Sequence, residues 1–383
     1  MSRLRAFREL FPALKNIVHV DVAASSLLST RVDQAVAAQM NERVTGSVVK
    51  ERWLDCQERV RCRFANLINA GPDEVAITKN VSEGINTVAT AIDWLAGDSV
   101  IICSGFEHPN NIHLWLHLSR KSVKTLDIPI RSDYALPLEE IISAMRPNTR
   151  AVSVATVSFS PGIRADLCTL GRACRDRGIL FIVDAAQSVG ILHTDVRRDL
   201  VDILATSAQK GLTSLYGLGI LYVRREWAER LIPASLARFG LDLGLAHEAD
   251  YSAAAAKNLA RGARRFEVGN PNFLGLAAVD AALEDLLTLG TRHIELHVLS
   301  LANTLVDGMM ASGLPVINGG VAGDRTLSVS VIDIHSMLRP CMHGWMSEAS
   351  GRRCDAGAFG SPYTATTIMR TSTRSYGIAS TGG

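Results

Sequence analysis

The stretch that decides the fold runs from Ile182 to Val223 and reads IVDAAQSVGILHTDVRRDLVDILATSAQKGLTSLYGLGILYV. Around and within it lie three short apolar runs, at 179–184, 203–207 and 219–223. Turn residues bound each run, and the runs have the length of buried strands. Asp184 ends the first run, and Lys210 follows the second, 26 residues later. Ligands of open α/β sheets bind beyond the carboxyl ends of the strands, so these two polar residues are candidates for a site.

The same pattern extends upstream of this stretch. Further apolar runs lie at 74–78, 99–104 and 151–158. Amphipathic helical patterns lie between the runs, at 83–95, 137–146 and 167–177. Buried strands that alternate with helices predict an α/β fold with a largely parallel sheet and helices on both faces.

The pattern changes after about residue 262. A helical stretch at 275–312 leads to a strand candidate at 326–334 and then to an end rich in Gly, Ser and Thr. We therefore predict a large domain over 20–262 and a smaller α+β domain composed of 1–19 and 263–383. The tail from about residue 377 has no periodicity and is predicted to be disordered.

Composition excludes several classes of protein. Of the 383 residues, 47% are hydrophobic and 20% are charged, which is typical of a folded globular chain. Forty Lys and Arg balance 38 Asp and Glu, so the net charge of +2 predicts neither a nucleic-acid nor a membrane partner. The seven cysteines are odd in number and form no C-x-x-C pair, which argues against a disulfide framework and favours a cytoplasmic protein.

Asp184 and Lys210 are the residues in this pattern that carry chemistry. A carboxylate that ends a buried strand needs a cationic partner, because an unpaired buried charge is costly. A partly desolvated Lys has a lowered pKa and can form a Schiff base. Pyridoxal phosphate requires a Lys for its aldehyde, an Asp for its pyridinium nitrogen and an anion site for its phosphate. Either residue alone is more often a cap or a surface side chain, but the pair predicts this cofactor.

The chain resembles the class V aminotransferases of fold type I, which include cysteine desulfurases, isopenicillin-N-epimerase-like proteins and serine–pyruvate aminotransferases. The matching stretches run from VDVAASSL (20–27) to RTSTRSYG (370–377). The most specific part is DAAQSVG, followed by a strand, S-x-x-K and YGLGILYV. The resemblance implies a mainly parallel seven-stranded sheet between helices, together with a smaller α+β domain.

The resemblance also implies roles around the cofactor ring. Lys210 matches the Schiff-base lysine, and Asp184 matches the partner of the pyridinium nitrogen. Gln187 matches the residue near the phenolic oxygen. His108, in GFEHPNN, matches the His that stacks on the ring.

The phosphate site is expected from three places. The turn KNVSEGI (79–85) opens a helix, and the backbone N–H groups of Val81 and Ser82 are expected to face the phosphate. Ser207 and Gln209 precede Lys210. Asn270, in RRFEVGNPNF, stands where the family has a Thr that reaches the phosphate of the neighbouring subunit. The resemblance therefore implies a homodimer with a shared active site.

Three further segments concern the substrate or differ from the desulfurases. Arg370 matches the Arg that binds the α-carboxylate, with Arg374 as the nearest alternative. In SFSPGIRADL (158–167) Phe159 replaces the desulfurases' Asn, and Arg164 and Asp166 are expected to pair with each other. The stretch CDAGAFG (354–360) has no Cys where the desulfurases carry their nucleophile.

These features predict a pyridoxal-phosphate-dependent enzyme that acts on an amino acid or amine. The missing Cys and the Gln209–Lys210 pair favour an aminotransferase. A C–S lyase without a catalytic Cys, or an epimerase, is the alternative within the family. A non-catalytic scaffold or degenerate copy is the alternative of another class. No metal site is predicted, because His113 and His117 lack a third ligand.

Overall fold

The structure is a computed structural model that describes residues 3–160, 162–242, 258–313, 316, 328–329 and 365–366. The helices are α1 Arg3–Glu9, α2 Thr30–Thr45, α3 Lys50–Ile68, α4 Val81–Ala91, α5 Asn110–His117, α6 Leu138–Ala144, α7 Leu167–Asp176, α8 Arg225–Arg230, α9 Phe273–Leu289 and α10 Thr291–Ala311. The strands are β1 Val75–Thr78, β2 Ser99–Ile102, β3 Lys124–Asp127, β4 Thr149–Ala155, β5 Leu180–Asp184, β6 Ile203–Ser207, β7 Gly219–Val223, β8 Ser328–Val329 and β9 Ala365–Thr366.

Seven strands form one sheet in the order β1-β7-β6-β5-β4-β2-β3. Strands β3, β2, β4, β5 and β6 run parallel, whereas β7 is antiparallel to both of its neighbours, β6 and β1. This arrangement confirms the predicted fold class. A separate pairing joins the two-residue strands β8 and β9.

The central strands are buried on both faces. In β5, Phe181 and Val183 pack into one apolar cluster, and Leu180 and Ile182 pack into another on the opposite face. Because successive side chains of a strand point to opposite faces, a strand covered on both sides must be apolar throughout. This is why the runs in the sequence show no alternation and why Asp184 marks the point where β5 leaves the core.

The structure differs from the sequence pattern at three elements. Strand β3 was not predicted, because this edge strand is only partly buried and contains Lys124 and Asp127. The helix predicted at 83–95 begins earlier, because Asn80 caps it by accepting a hydrogen bond from the Glu83 N–H. The helical stretch 275–312 is two helices, α9 and α10, which Gly290 separates with φ +82°.

The division into two domains stays a prediction. Helix α9, which belongs to the predicted small domain, packs against α2 and α3. Of the strand candidate at 326–334, the structure describes only β8. The tail from about residue 377 lies outside the described residues.

A buried ion pair joins helix α3 to strand β1 and to the loop that precedes α9. Arg61 donates two hydrogen bonds to Glu267, with Nη1–Oε1 2.5 Å and Nη2–Oε2 2.7 Å, and one to the Val75 carbonyl. Glu267 also accepts hydrogen bonds from the Ile77 N–H and the Gln57 side chain. Both charged side chains are 4% exposed. Their mutual pairing is what allows two charges to stay inside the protein.

Replacement of one member of this pair is expected to destabilise the fold. Arg61→Met leaves the Glu267 carboxylate buried without its cation, and the free energy of unfolding should fall by about 3–5 kcal/mol. Arg264→Met removes a half-exposed partner of Glu58 from the same loop, so it should cost less than about 1 kcal/mol. Urea denaturation of the two variants measures the difference, and equal losses would contradict the role given to the buried pair.

Candidate active site

A cavity of about 400 Å³ opens at the carboxyl ends of β4, β5 and β6, beside the first turn of α4. Eight of the predicted site residues line it: Val81, Ser82, His108, Asp184, Gln187, Ser207, Gln209 and Lys210. They come from four separate parts of the chain, and the parallel strands bring them together because their carboxyl ends share one edge of the sheet.

Asp184 is a buried residue of the cavity wall. It is 7% exposed, and one oxygen accepts a hydrogen bond from the Ala186 N–H at 2.8 Å. The other oxygen accepts a short hydrogen bond from the Asn111 side chain. Burial raises the pKa of Asp184, whereas the Ala186 N–H, Lys210 and Asn111 act in the opposite direction. A carboxylate held by two donors has a fixed orientation and can serve as the partner of a cationic nitrogen.

Lys210 lies three residues beyond the end of β6 and faces the same cavity. Burial lowers the pKa of its ammonium, and the charges of Asp184 and Asp21 oppose this shift. The net effect is a lowered pKa, which increases the fraction of neutral amine at a given pH. A neutral amine is the form that attacks a carbonyl group, so the site favours Schiff-base chemistry at Lys210.

His108 is part of the cavity wall and is held by its neighbours. Its ring lies edge-on to Phe159, with 4.6 Å between the ring centroids and 81° between the planes. Its Nδ1 accepts a hydrogen bond from the Asn110 N–H at 3.2 Å. Burial and the charge of Lys210 lower the pKa of His108. A neutral imidazole in the wall of a cavity is suited to stacking on an aromatic ligand.

The first turn of α4 forms part of the cavity wall. The turn packs directly on β7, because a Cβ at Gly219 would meet the Asn80 backbone at 2.6 Å. This close approach brings the N–H groups at the start of α4 to the cavity wall formed by Val81 and Ser82. Free N–H groups and the helix dipole favour a phosphate at such a position.

The segment 19–26 lies against the other side of the site. Ser26 donates its N–H and its hydroxyl to the Gln209 carbonyl, at 2.8 and 3.1 Å. Gln187 donates to the Ala23 carbonyl at 3.3 Å, and Tyr216 donates to the Ala24 carbonyl at 3.4 Å. These contacts fix the turn that carries Lys210 against a segment nearly 190 residues upstream in the chain.

Some predicted residues are not part of the cavity. Asn270 is exposed and does not line it. Arg370, Arg374 and the stretch 354–360 lie outside the described residues. The expected pairing of Arg164 with Asp166 is wrong, because Arg164 bonds Glu295 at 2.8 Å and Asp166 caps α7 through the Thr169 N–H. The Glu295 carboxylate of α10 is therefore the partner of Arg164.

Sequence reasoning missed several residues of the site. Lys79, Asn110 and Tyr216 line the cavity, and Glu107 lies behind it. Glu107 and Asn110 lie in GFEHPNN, the same motif that pointed to His108. The density of polar residues after an apolar run was the available signal, but no pattern distinguishes a buried Glu from an exposed one.

The residues present fit pyridoxal phosphate. A buried carboxylate, an amine with a lowered pKa, an imidazole face and a helix N-terminus line one cavity. They match, in that order, the ring nitrogen, the aldehyde, the ring face and the phosphate of the cofactor. The roles of the individual residues are predictions at this point.

Comparison with known proteins gives a consistent result. The family model described as Aminotransferase class-V matches residues 18–347. The Bacillus subtilis (strain 168) protein YcbU, an uncharacterized aminotransferase, is 30% identical over 317 residues, which is 82% of each chain. Within the described residues, no helix is both long and apolar enough to cross a membrane.

Solved structures share the fold at lower identity. The apo structure of a cysteine desulfurase from Thermococcus onnurineus NA1 has a TM-score of 0.77 and 24% identity, and covers 90% of this chain and 86% of its own. A C-DES mutant with glycine covalently linked to its PLP cofactor has a TM-score of 0.79 and 21% identity, with coverage of 88% and 90%. C-DES is described as a cystine C–S lyase.

The lowered pKa of Lys210 gives a test that needs no cofactor. The rate at which a small neutral aldehyde, followed by borohydride, labels Lys210 should reach half its maximum at a lower pH than for free lysine. Asp184→Asn removes a negative charge that favours the ammonium, so the midpoint should move to still lower pH. Peptide mass spectrometry measures the labelling.

Asp133→Asn is the matched control for this titration. Asp133 is a surface residue that pairs with Arg131, so its loss should leave the midpoint unchanged. A midpoint that rises in Asp184→Asn, or that equals the value for free lysine in the unaltered protein, would contradict the electrostatics derived for the site.

Proposed function

Because the chain belongs to the class V aminotransferase family, we propose that it is a pyridoxal-phosphate-dependent aminotransferase acting on an amino acid or amine, with Lys210 and Asp184 as its catalytic residues. The observation that carries the proposal is the placement of these two residues. Asp184 ends β5, Lys210 follows the neighbouring strand β6, and both line one cavity, at whose wall α4 begins.

When bound, pyridoxal phosphate withdraws electrons from Cα of an attached amine and so acidifies its proton. Asp184 keeps a proton on the ring nitrogen, since its carboxylate is buried and fixed by two donors. Lys210 would hold the cofactor through its amine, and as a neutral amine it would accept and return protons as general base. The lowered pKa of Lys210 suits this role.

The other lining residues position the cofactor. The N–H groups of Val81 and Ser82 bind the phosphate, together with Ser207 and Gln209. His108 covers one face of the ring, and Gln187 lies near the phenolic oxygen. Arg370 binds the carboxylate of the substrate, and Asn270 reaches the phosphate of a second subunit. The last two roles rest on the resemblance alone.

Transamination needs no external oxidant. The amino group and a hydrogen pass from an amino acid to a 2-oxo acid, so one substrate is oxidised while the other is reduced. The Gln209–Lys210 pair, similar to the serine–pyruvate aminotransferases, favours this reaction. The absence of a Cys where the desulfurases carry theirs, in CDAGAFG, removes support for persulfide formation on the enzyme.

A C–S lyase is the second candidate. The likeness of the fold to a cystine C–S lyase and to a cysteine desulfurase favours it. In that reaction the C–S bond breaks, the sulfur leaves as a thiol or persulfide, and hydrolysis of the remaining enamine yields pyruvate and ammonia. The same Lys210 and Asp184 serve both reactions, as they would serve an epimerase. A non-catalytic scaffold would use neither residue.

Two measurements test the proposed function. After loading with pyridoxal phosphate and dialysis, the protein should keep a visible absorption band that Lys210→Ala loses or shifts. Lys79→Ala, a change of the other lysine that lines the cavity, should keep the band. No retained band in folded protein would favour the scaffold.

The loaded enzyme is then incubated with amino acids, with and without a 2-oxo acid. A new amino acid that forms only with the oxo acid is the expected result. Pyruvate and ammonia without an acceptor would establish the lyase instead. Lys210→Ala should abolish either reaction.

We also propose a homodimer in the cytoplasm. Exposed apolar side chains lie near the site, with Tyr216 at its rim 64% exposed and Val268, two residues from Asn270, 44% exposed. Burial of such surface is a common reason for self-association. The five cysteines of the described residues are free, in agreement with a reducing compartment.

The dimer is tested with a pair of exposed positions. Sedimentation should give twice the mass of one chain, and Val268→Glu should weaken the association. Leu296→Glu, an equally drastic change on the exposed surface of α10, should leave the mass unchanged. A monomer that retains pyridoxal phosphate would refute the shared site.

A further inference from the structure

A second buried acid lies behind Asp184. Glu107 follows β2 in the chain, is 5% exposed and does not line the cavity. Its Oε1 accepts a hydrogen bond from the N–H of Ala155, the last residue of β4, at 2.5 Å. Its Oε2 lies 3.5 Å from the Asn111 side-chain nitrogen. Glu107 is therefore anchored to the sheet edge from which the site is built.

Asn111 connects the two acids. It is 1% exposed and lies in the first turn of α5, four residues after Glu107. Its side-chain nitrogen donates hydrogen bonds to Glu107, at 3.5 Å, and to Asp184. One amide group therefore links the two buried acids.

The charges around the two acids indicate which of them is ionised. Within the described part of the chain, Glu107 forms no ion pair, whereas the positive charge of Lys210 acts on Asp184. Burial and the charge of Asp184 raise the pKa of Glu107 well above its usual value. On its other side, the charge of Glu107 would act on the buried thiol of Cys103. Two ionised carboxylates in one buried site are costly, so the acid without a cation takes the proton.

We propose that Glu107 is a positioning residue that stays protonated and, through Asn111, holds Asp184 as the single ionised carboxyl group of the site, oriented toward the cofactor's ring nitrogen. The inference rests on the proposed function, since it concerns the ring nitrogen of the cofactor that Asp184 would contact. Asn111 fixes the Asp184 carboxyl plane, and the proton on Glu107 keeps a second negative charge away from it. Glu107 itself touches neither cofactor nor substrate.

The first experiment locates the proton without any cofactor. The infrared difference between apoprotein and its Glu107→Gln variant at neutral pH should show a protonated-carboxyl C=O stretch that the variant lacks. Loss of a carboxylate stretch instead would mean that Glu107 is ionised and would overturn the proposal. Glu83→Gln, a change of an exposed carboxylate at the start of α4, should remove only a carboxylate signal.

The second experiment measures orientation by equilibrium binding of two probes to the apoprotein. The probes are pyridoxal phosphate and its 1-deaza analogue, which has carbon in place of the ring nitrogen. Asn111→Leu and Glu107→Leu should weaken the binding of pyridoxal phosphate about tenfold and leave the binding of the analogue unchanged. The reason is that only the ring nitrogen, which the analogue lacks, interacts with Asp184. Glu107→Gln, which is neutral and keeps an acceptor, should bind both probes within about twofold of the unaltered protein.

The outcomes separate this inference from the proposed function. Equal weakening of both probes would show that Glu107 and Asn111 merely support the fold, and would overturn the positioning role. Weaker binding of pyridoxal phosphate alone in Glu107→Gln would also overturn it. If the unaltered protein bound neither probe, the proposed function would fail, whereas the infrared experiment would still decide where the proton lies. If Glu107→Leu does not fold, the binding of the two probes is compared in Asn111→Leu.

Discussion

The buried carboxylate of Asp184 is the constraint on which the site depends. A carboxylate at the end of a strand that is covered on both faces loses its hydration, and the surrounding groups must replace it. Here the Ala186 N–H and the Asn111 side chain bind its oxygens, and Lys210 supplies a positive charge from the end of the neighbouring strand. The position of β5 between β4 and β6 is what brings these groups within reach.

The antiparallel strand β7 determines where helix α4 lies relative to the site. It lies between β6 and β1, so the helix that follows β1 packs back over β6 and β7. Glycine makes this contact possible at two points. Gly219 lies against the Asn80 backbone, and a Cβ at Gly84 would lie 3.3 Å from the Ala205 side chain. The N-terminus of α4 is thereby fixed in the wall of the cavity, where its N–H groups favour an anion.

The pocket thus combines two kinds of electrostatic environment. At the anion end, backbone N–H groups and a helix dipole favour negative charge. At the Asp184 end, one fixed carboxylate favours a cation. Lys210 and His108 also line the cavity, and both have lowered pKa values, largely because they are buried. Such a cavity favours a ligand that carries both an anionic group and a basic nitrogen.

The sequence by itself determined the alternation of strands and helices, and it located Asp184, Lys210, His108 and the turn before α4. These features are local, because strand burial, helix capping and ligand-binding loops produce recognisable patterns within a few residues of sequence. No local sequence pattern predicts three other features, namely the partly exposed strand β3, the partner of Arg164 and the burial of Glu107. Each depends on which segments pack together: Glu295 lies about 130 residues from Arg164, and Asp184 lies about 80 from Glu107. Only the tertiary structure decided them, because the burial and charge of a side chain are set by neighbours that the chain brings in from a distance.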